Sequence, residues 1–200
     1  MTQLLYIFPI NSRPLGVSFT EWSIKWWQWI ASIPKDMNPA YDDTGQFVNL
    51  GQRYQNVTFL CQTFEGAKTI PTRRNTIKSN KYFFLPIMNW ISVEGIDGKN
   101  DDELKAIAKS KMDKIDILEL KINGKDESFE LNKNRVNSDF FYVDLPHNNI
   151  FDIEQGRKKC ISDGYWIFFK ISSDTLTMST NSICSSGINQ IAVEYDLNLL

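Results

Sequence analysis

Between Ser18 and Pro34 the chain reads SFTEWSIKWWQWIASIP, and four of its six tryptophans fall inside this stretch. Ser18 and Glu21 stand at the spacing of a capping box, in which each residue satisfies an orphan N–H of the other's neighbourhood and starts a helix. After them Trp22, Trp26, Trp29, Ile30 and Ile33 recur with the one-face period of an amphipathic helix, and Pro34 ends it. Three indoles on one stripe need a broad apolar partner, and a sheet is the element that supplies one. Trp27 lies off the stripe, about 100° round from Trp26. Exposed, it would mark a ligand or partner surface.

Most of the remaining chain reads as strands. The N-terminal MTQLLYIFPI predicts a first strand, Val57 to Thr63 a second, and Lys81 to Met88 a nearly continuous apolar one, with Pro86 pointing to an edge or a bulge. Between them, Lys35 to Gln46 is rich in Asp, Asn, Pro and Gly, and the stretch containing Arg73 and Arg74 reads as a connection. A second helix is expected at about Asp101 to Lys114, started by Asn100 with Glu103 three residues on. Alternation on both sides of Asn123-Gly124 predicts a β-hairpin whose return strand carries Phe129 and Leu131. Further strands follow at Phe140 to Val143, Tyr165 to Ile171, Leu176 to Thr180 and Gln190 to Leu199. The helices do not alternate with the strands as a parallel α/β sheet requires. The expected fold is therefore mainly β (α+β): an antiparallel β-sandwich of about seven or eight strands with two amphipathic helices, one domain over residues 1–200.

Composition narrows the function classes. A net charge of −2 on 200 residues offers no basic field for nucleic acid. No apolar run approaches the roughly 20 residues of a membrane span, and no signal-peptide pattern opens the chain, so the reading is cytoplasmic. Cys61, Cys160 and Cys184 are too few and too widely spaced for a disulfide framework and read as buried or half-buried thiols. With one histidine and no CxxC, no metal is expected. The acidic run from Asp97 to Glu103 resembles a calcium loop but lacks its ligand alternation, and helix capping explains it better. No phosphate-cradling glycine loop is present, and no cofactor is expected.

Catalytic constellations are equally sparse. His147 is the sole candidate base for a serine triad, and no GxSxG elbow presents a serine. Cys160 follows two lysines, but neighbours on a strand point to opposite faces, so their charge need not reach it. Paired carboxylates remain open for a hydrolase, with Glu21, Glu94 and Asp163 lying near aromatic residues and Arg74 available to stabilise negative charge. Glu21 already has a capping use, and Asp163-Gly164 reads as a turn signal.

Several blocks are more distinctive than their composition: Glu21-Trp22 with Trp26-Trp27-Gln28-Trp29 and Ser32-Ile33-Pro34, Asp43-Thr44-Gly45, Phe83 to Asn89 as FFLPIMN, and Ser162 to Trp166 as SDGYW. In these blocks, which span Ser18 to Trp166, the chain resembles a family of uncharacterised archaeal and bacterial proteins. The resemblance implies a compact domain and draws attention to Arg74, Asn89, Asp163 and Tyr165 without giving them a role. It also implies additional cysteines where this chain carries Val48 and Asn75, so a disulfide suited to export is missing here. The sequence reading is a non-enzymatic binding module for a small, glycan-like polar ligand or a protein partner, with Glu21, Trp27, Arg74, Asn89, Trp90, Asp163 and Tyr165 as candidate contacts. A carboxylate-dependent hydrolase and a structural subunit, including a homo-oligomer, are the alternatives.

Overall fold

The computed structural model describes residues 5–64, 70–78, 82–184 and 190–200. In chain order it runs through β1 (Leu5–Ile7), α1 (Phe19–Ala31), β2 (Thr58–Phe59), β3 (Thr72–Ile77), β4 (Tyr82–Val93) and α2 (Asp101–Met112). Then follow β5 (Ile115–Ile122), β6 (Lys125–Asp126), β7 (Arg135–Asn137), β8 (Phe141–Leu145), β9 (Gly156–Ile171), β10 (Thr175–Cys184) and β11 (Gln190–Leu199). The first sheet has the order β1-β9-β4-β2, with β7 and β8 also paired to β9; the second has the order β3-β11-β10-β5-β6. The protein is thus mainly β with two packed sheets and two helices.

Two details differ from the expectation. The described residues form eleven strands, because the sequence pattern announces neither β3 nor the three-residue β7, which is too short to show alternation. The pairing is also mixed: β2 runs parallel to β4, and β3 runs parallel to β11. The segment read as a connection around Arg73 and Arg74 is strand β3. In the hairpin, Asn123 (φ 49°) and Gly124 (φ 78°) make the predicted tight turn, and Ile122 pairs with Lys125. The return strand stops at Asp126, however, leaving Phe129 88% exposed and Leu131 in a short helical turn.

Both helices start as their sequences dictate. Ser18 Oγ accepts from the Glu21 N–H at 3.2 Å while Glu21 Oε2 accepts from the Ser18 N–H at 2.8 Å. Asn100 Oδ1 accepts from the Glu103 N–H, but Glu103 reaches back to the Lys99 N–H rather than to Asn100. The indole stripe of α1 lies on the first sheet: Trp22 meets Phe84 and Phe168, and Trp26 meets Trp166 at 5.4 Å between ring centres. The opposite face of that sheet carries Phe83, Leu85, Ile167 and Phe169 into a second core against Leu120, Leu176, Val193 and Leu197 of the second sheet. α2 covers one end through Leu104 and Ala108.

One irregularity positions the candidate site. The register of β4 against β9 shifts between Pro86 and Met88. Before the shift Phe84 faces α1 while Phe83 and Leu85 face the second sheet; after it Ile91 and Val93 face α1 while Met88 faces the second sheet. The bulge expected from Pro86 therefore reverses which residues of β4 look toward α1. Asn89 comes to α1's side by this reversal.

Candidate functional site

A cavity of about 400 Å³ lies between α1, the segment 62–64 that follows β2, and the half of β4 beyond the bulge. That volume is within the range of small-molecule sites. β2 pairs with β4 opposite Phe83 and Phe84, the Leu60 N–H still donates to the Phe84 carbonyl, and the chain from Cys61 on departs from the ladder, which opens this space. Trp26, Trp27, Phe64 and Trp90 give the walls their aromatic character, and Asn89, Gln62 and Asp97 are among the polar lining groups.

The tryptophans of α1 are not equivalent. Trp22, Trp26 and Trp29 each donate their indole N–H to a backbone carbonyl, of Pro14, Leu60 and Leu50 respectively. Trp27 is only 2% exposed, so it is not the surface indole that an off-stripe position suggested. Trp26 and Phe64 meet it edge-on and fix its ring. Yet its Nε1 is buried and has no hydrogen-bond partner among the described residues. The same holds for Trp90 Nε1, Asn89 Nδ2 and Gln62 Oε1, all on residues lining this cavity. Buried polar groups are ordinarily paired; of the ten buried side-chain polar atoms that lack a hydrogen-bond partner among the described residues, four belong to residues lining this one space.

The bulge also orients Gln62. The carbonyls of Pro86 and Ile87 accept from Gln62 Nε2, at 3.3 and 2.7 Å, and Ser182 Oγ donates to the Ile87 carbonyl as well. With its nitrogen held there, the amide oxygen of Gln62 is the end left unpartnered. Trp90 is fixed from another side, with Lys111 Nζ 4.4 Å from its ring centre. The Asp97 carboxylate accepts from the Val93 N–H at 2.8 Å and is the sole charged side chain among the described lining residues.

The sequence-predicted residues divide accordingly. Trp27, Asn89 and Trp90 converge on the cavity; Glu21, Arg74, Asp163 and Tyr165 do not. Glu21 is engaged by Ser18 and Arg13 at the start of α1, and these bonds hold its pKa below the ordinary value. Arg74 is exposed on β3 beside Asp196. Asp163 is fully buried inside β9 rather than at a turn; Arg135 Nη2 donates to its Oδ2 at 2.6 Å and Arg135 Nε to its Oδ1 at 2.9 Å. Asn137, with its amide nitrogen turned to the carboxylate, adds a donor at 2.9 Å. Tyr165 is buried beneath the Arg135 guanidinium.

Sequence reasoning missed Gln62, Phe64 and Asp97 as wall residues. Gln62 carried a signal, an amide ending the apolar run Val57 to Cys61. Of the arginine pair, Arg74 is the exposed member and Arg73 the buried one. Arg73 is 1% exposed; its Nη1 donates to Tyr195 Oη at 2.8 Å and to the Cys61 carbonyl at 2.7 Å, and its Nε donates to the Asp42 carbonyl at 2.6 Å. Alternation back from buried Ile77 puts Arg73 on the inner face of β3, which is the signal that was available. This network joins the loop after α1 to both sheets and serves packing.

Cys61 and Cys160 are free, buried thiols, and Cys184 is half-buried. Burial, reinforced by Asp97 and Glu94, pushes Cys160 up to about 12, so its neighbouring lysines do not activate it. Among the described residues no three His, Cys, Asp or Glu side chains gather to hold a metal ion, and no helix is long and apolar enough to cross a membrane. Comparison with protein-family models, curated proteins and solved structures finds no match to this chain.

Proposed function

We propose that the protein is a binding module that holds a small polar ligand in the cavity between α1 and β4. The observation that carries this reading is the contrast within one helix: three indole N–H groups are satisfied by backbone carbonyls, while that of Trp27 is buried without a partner beside three similarly unpartnered atoms. Leaving such groups unpaired costs about 1–3 kcal/mol each. A ligand that bonds to them recovers that cost.

The hydrolase alternative built on Glu94 and Asp163 is less favoured, because Asp163 is enclosed and bound by Arg135. We extend the binding reading to the archaeal and bacterial family that the sequence resembles, since the shared blocks supply Trp26, Trp27, Met88 and Asn89 of the wall.

The test is a thermal-shift screen of small polar compounds, followed by titration of hits using tryptophan fluorescence. A ligand at a hundred times its Kd stabilises the folded state by about 2.7 kcal/mol, which the melting curve registers readily. Trp27→Phe is expected to weaken every hit that occupies this cavity. Hits that bind the variant as well as the parent would remove the cavity from consideration.

A further inference from the structure

The chemistry of the cavity's polar atoms restricts what they can bind. Trp27 and Trp90 each offer an indole N–H, which donates and never accepts; Asn89 offers an amide donor; Gln62, anchored through its nitrogen, offers only a carbonyl acceptor. Trp27 and Gln62 are 2% and 5% exposed, so bulk water does not reach them freely. A hydrocarbon ligand would leave all four atoms unpaired. An anion would meet no Lys, Arg or His among the described lining residues and would face the Asp97 carboxylate. An ammonium ion could use Asp97 and the aromatic walls, but it accepts nothing and would leave three donors unpaired.

A hydroxyl group both donates and accepts, so several hydroxyls on one frame can take bonds from the three donors and give one to Gln62. The aromatic walls suit the C–H faces of a saturated ring. Resting on the reading of this cavity as a ligand site, we infer that its ligand is an uncharged polyhydroxylated ring of about monosaccharide size.

The full chain is to be titrated by calorimetry and tryptophan fluorescence with three probe sets. The first comprises neutral aldohexoses and pentoses with their methyl glycosides; the second, glucuronate and glucosamine; the third, indole and tetramethylammonium. At least one neutral sugar is expected to bind at least tenfold more tightly than either charged sugar. Trp27→Phe and Trp90→Phe should each weaken it about tenfold while retaining the parent circular dichroism. Binding of indole, tetramethylammonium or a charged sugar in preference to every neutral sugar, lost in the same variants, overturns the polyhydroxy assignment and leaves the ligand site standing. Equal binding of the best neutral sugar by parent and both variants also overturns the assignment. Failure of all three sets to bind overturns the site together with its ligand.

Discussion

Gly164 of β9 stands directly opposite Asn89 of β4, and a Cβ placed on Gly164 would lie 2.6 Å from the Cβ of Asn89 and 2.9 Å from the Met88 carbonyl oxygen. The glycine of the SDGYW block is thus required for close approach, not for a turn. It leaves the space that Asn89 occupies at the cavity wall. Gly164→Ala forces strand backbone apart, because two of the nearest atoms are main-chain. Overpacking of this kind costs about 1–3 kcal/mol. Urea unfolding should report that loss, and a ligand bound in the cavity should lose affinity with it; a variant as stable as the parent would show that the strands separate freely.

Trp26 and Trp27 offer a paired measurement on adjacent residues of one helix. Both are buried to the same 2%, and either loses packing when replaced by Phe. Trp26→Phe also removes the 2.8 Å donor to the Leu60 carbonyl, whereas Trp27→Phe removes a donor that has no partner among the described residues. The first substitution should therefore destabilise the unliganded protein by about 1 kcal/mol more than the second, the net worth of one hydrogen bond. Equal losses in denaturant titrations would mean that the Trp27 N–H contributes to stability as much as its neighbour does.

The residues that were legible in sequence are those governed by local rules. Ser18, Glu21 and Pro34 bound α1, Asn123-Gly124 turns the hairpin, and Pro86 marks the bulge. Relations between distant segments were not legible. The parallel pairing of β3 with β11 joins residues more than 100 positions apart, and no local pattern announces it. Asn89 stood out through the blocks of the family resemblance, but that it faces α1 depends on the register shift two residues earlier. Asp163 drew attention as a carboxylate near aromatics; only the fold reveals that Arg135 occupies it.

That ion pair carries its own expectation. Arg135 binds Asp163 through two nitrogens, reaches Asp113 with Nη1 at 2.7 Å, and so ties β7 and the end of α2 to β9. Replacing Asp163 by Asn removes the buried negative charge and leaves the guanidinium with Asp113 as its remaining ion-pair partner. The loss should be about 3 kcal/mol, the low end for a broken buried pair, because Arg135 retains partial contact with water. Chemical denaturation of Asp163→Asn measures it. A loss below about 1 kcal/mol would place the pair with ordinary surface bridges.

Asp42 supplies the clearest pH dependence. Burial alone would raise its pKa, but the N–H groups of Phe47, Thr44 and Gly45 and the Thr44 hydroxyl all donate to the carboxylate, and together they hold it below the ordinary 3.8. A depressed folded pKa contributes stability that is fully present above the unfolded value and is lost as pH falls through the folded one. Asp42→Asn replaces one acceptor oxygen with a nitrogen that cannot receive the Phe47 N–H, at a cost of about 1–3 kcal/mol near neutrality. The stability gap between parent and variant should be widest above pH 5 and should narrow as pH falls below 3.8. Urea titrations at a series of pH values measure the gap directly, and a gap that widens on acidification would show that the Asp42 carboxylate is not preferentially stabilised in the folded protein.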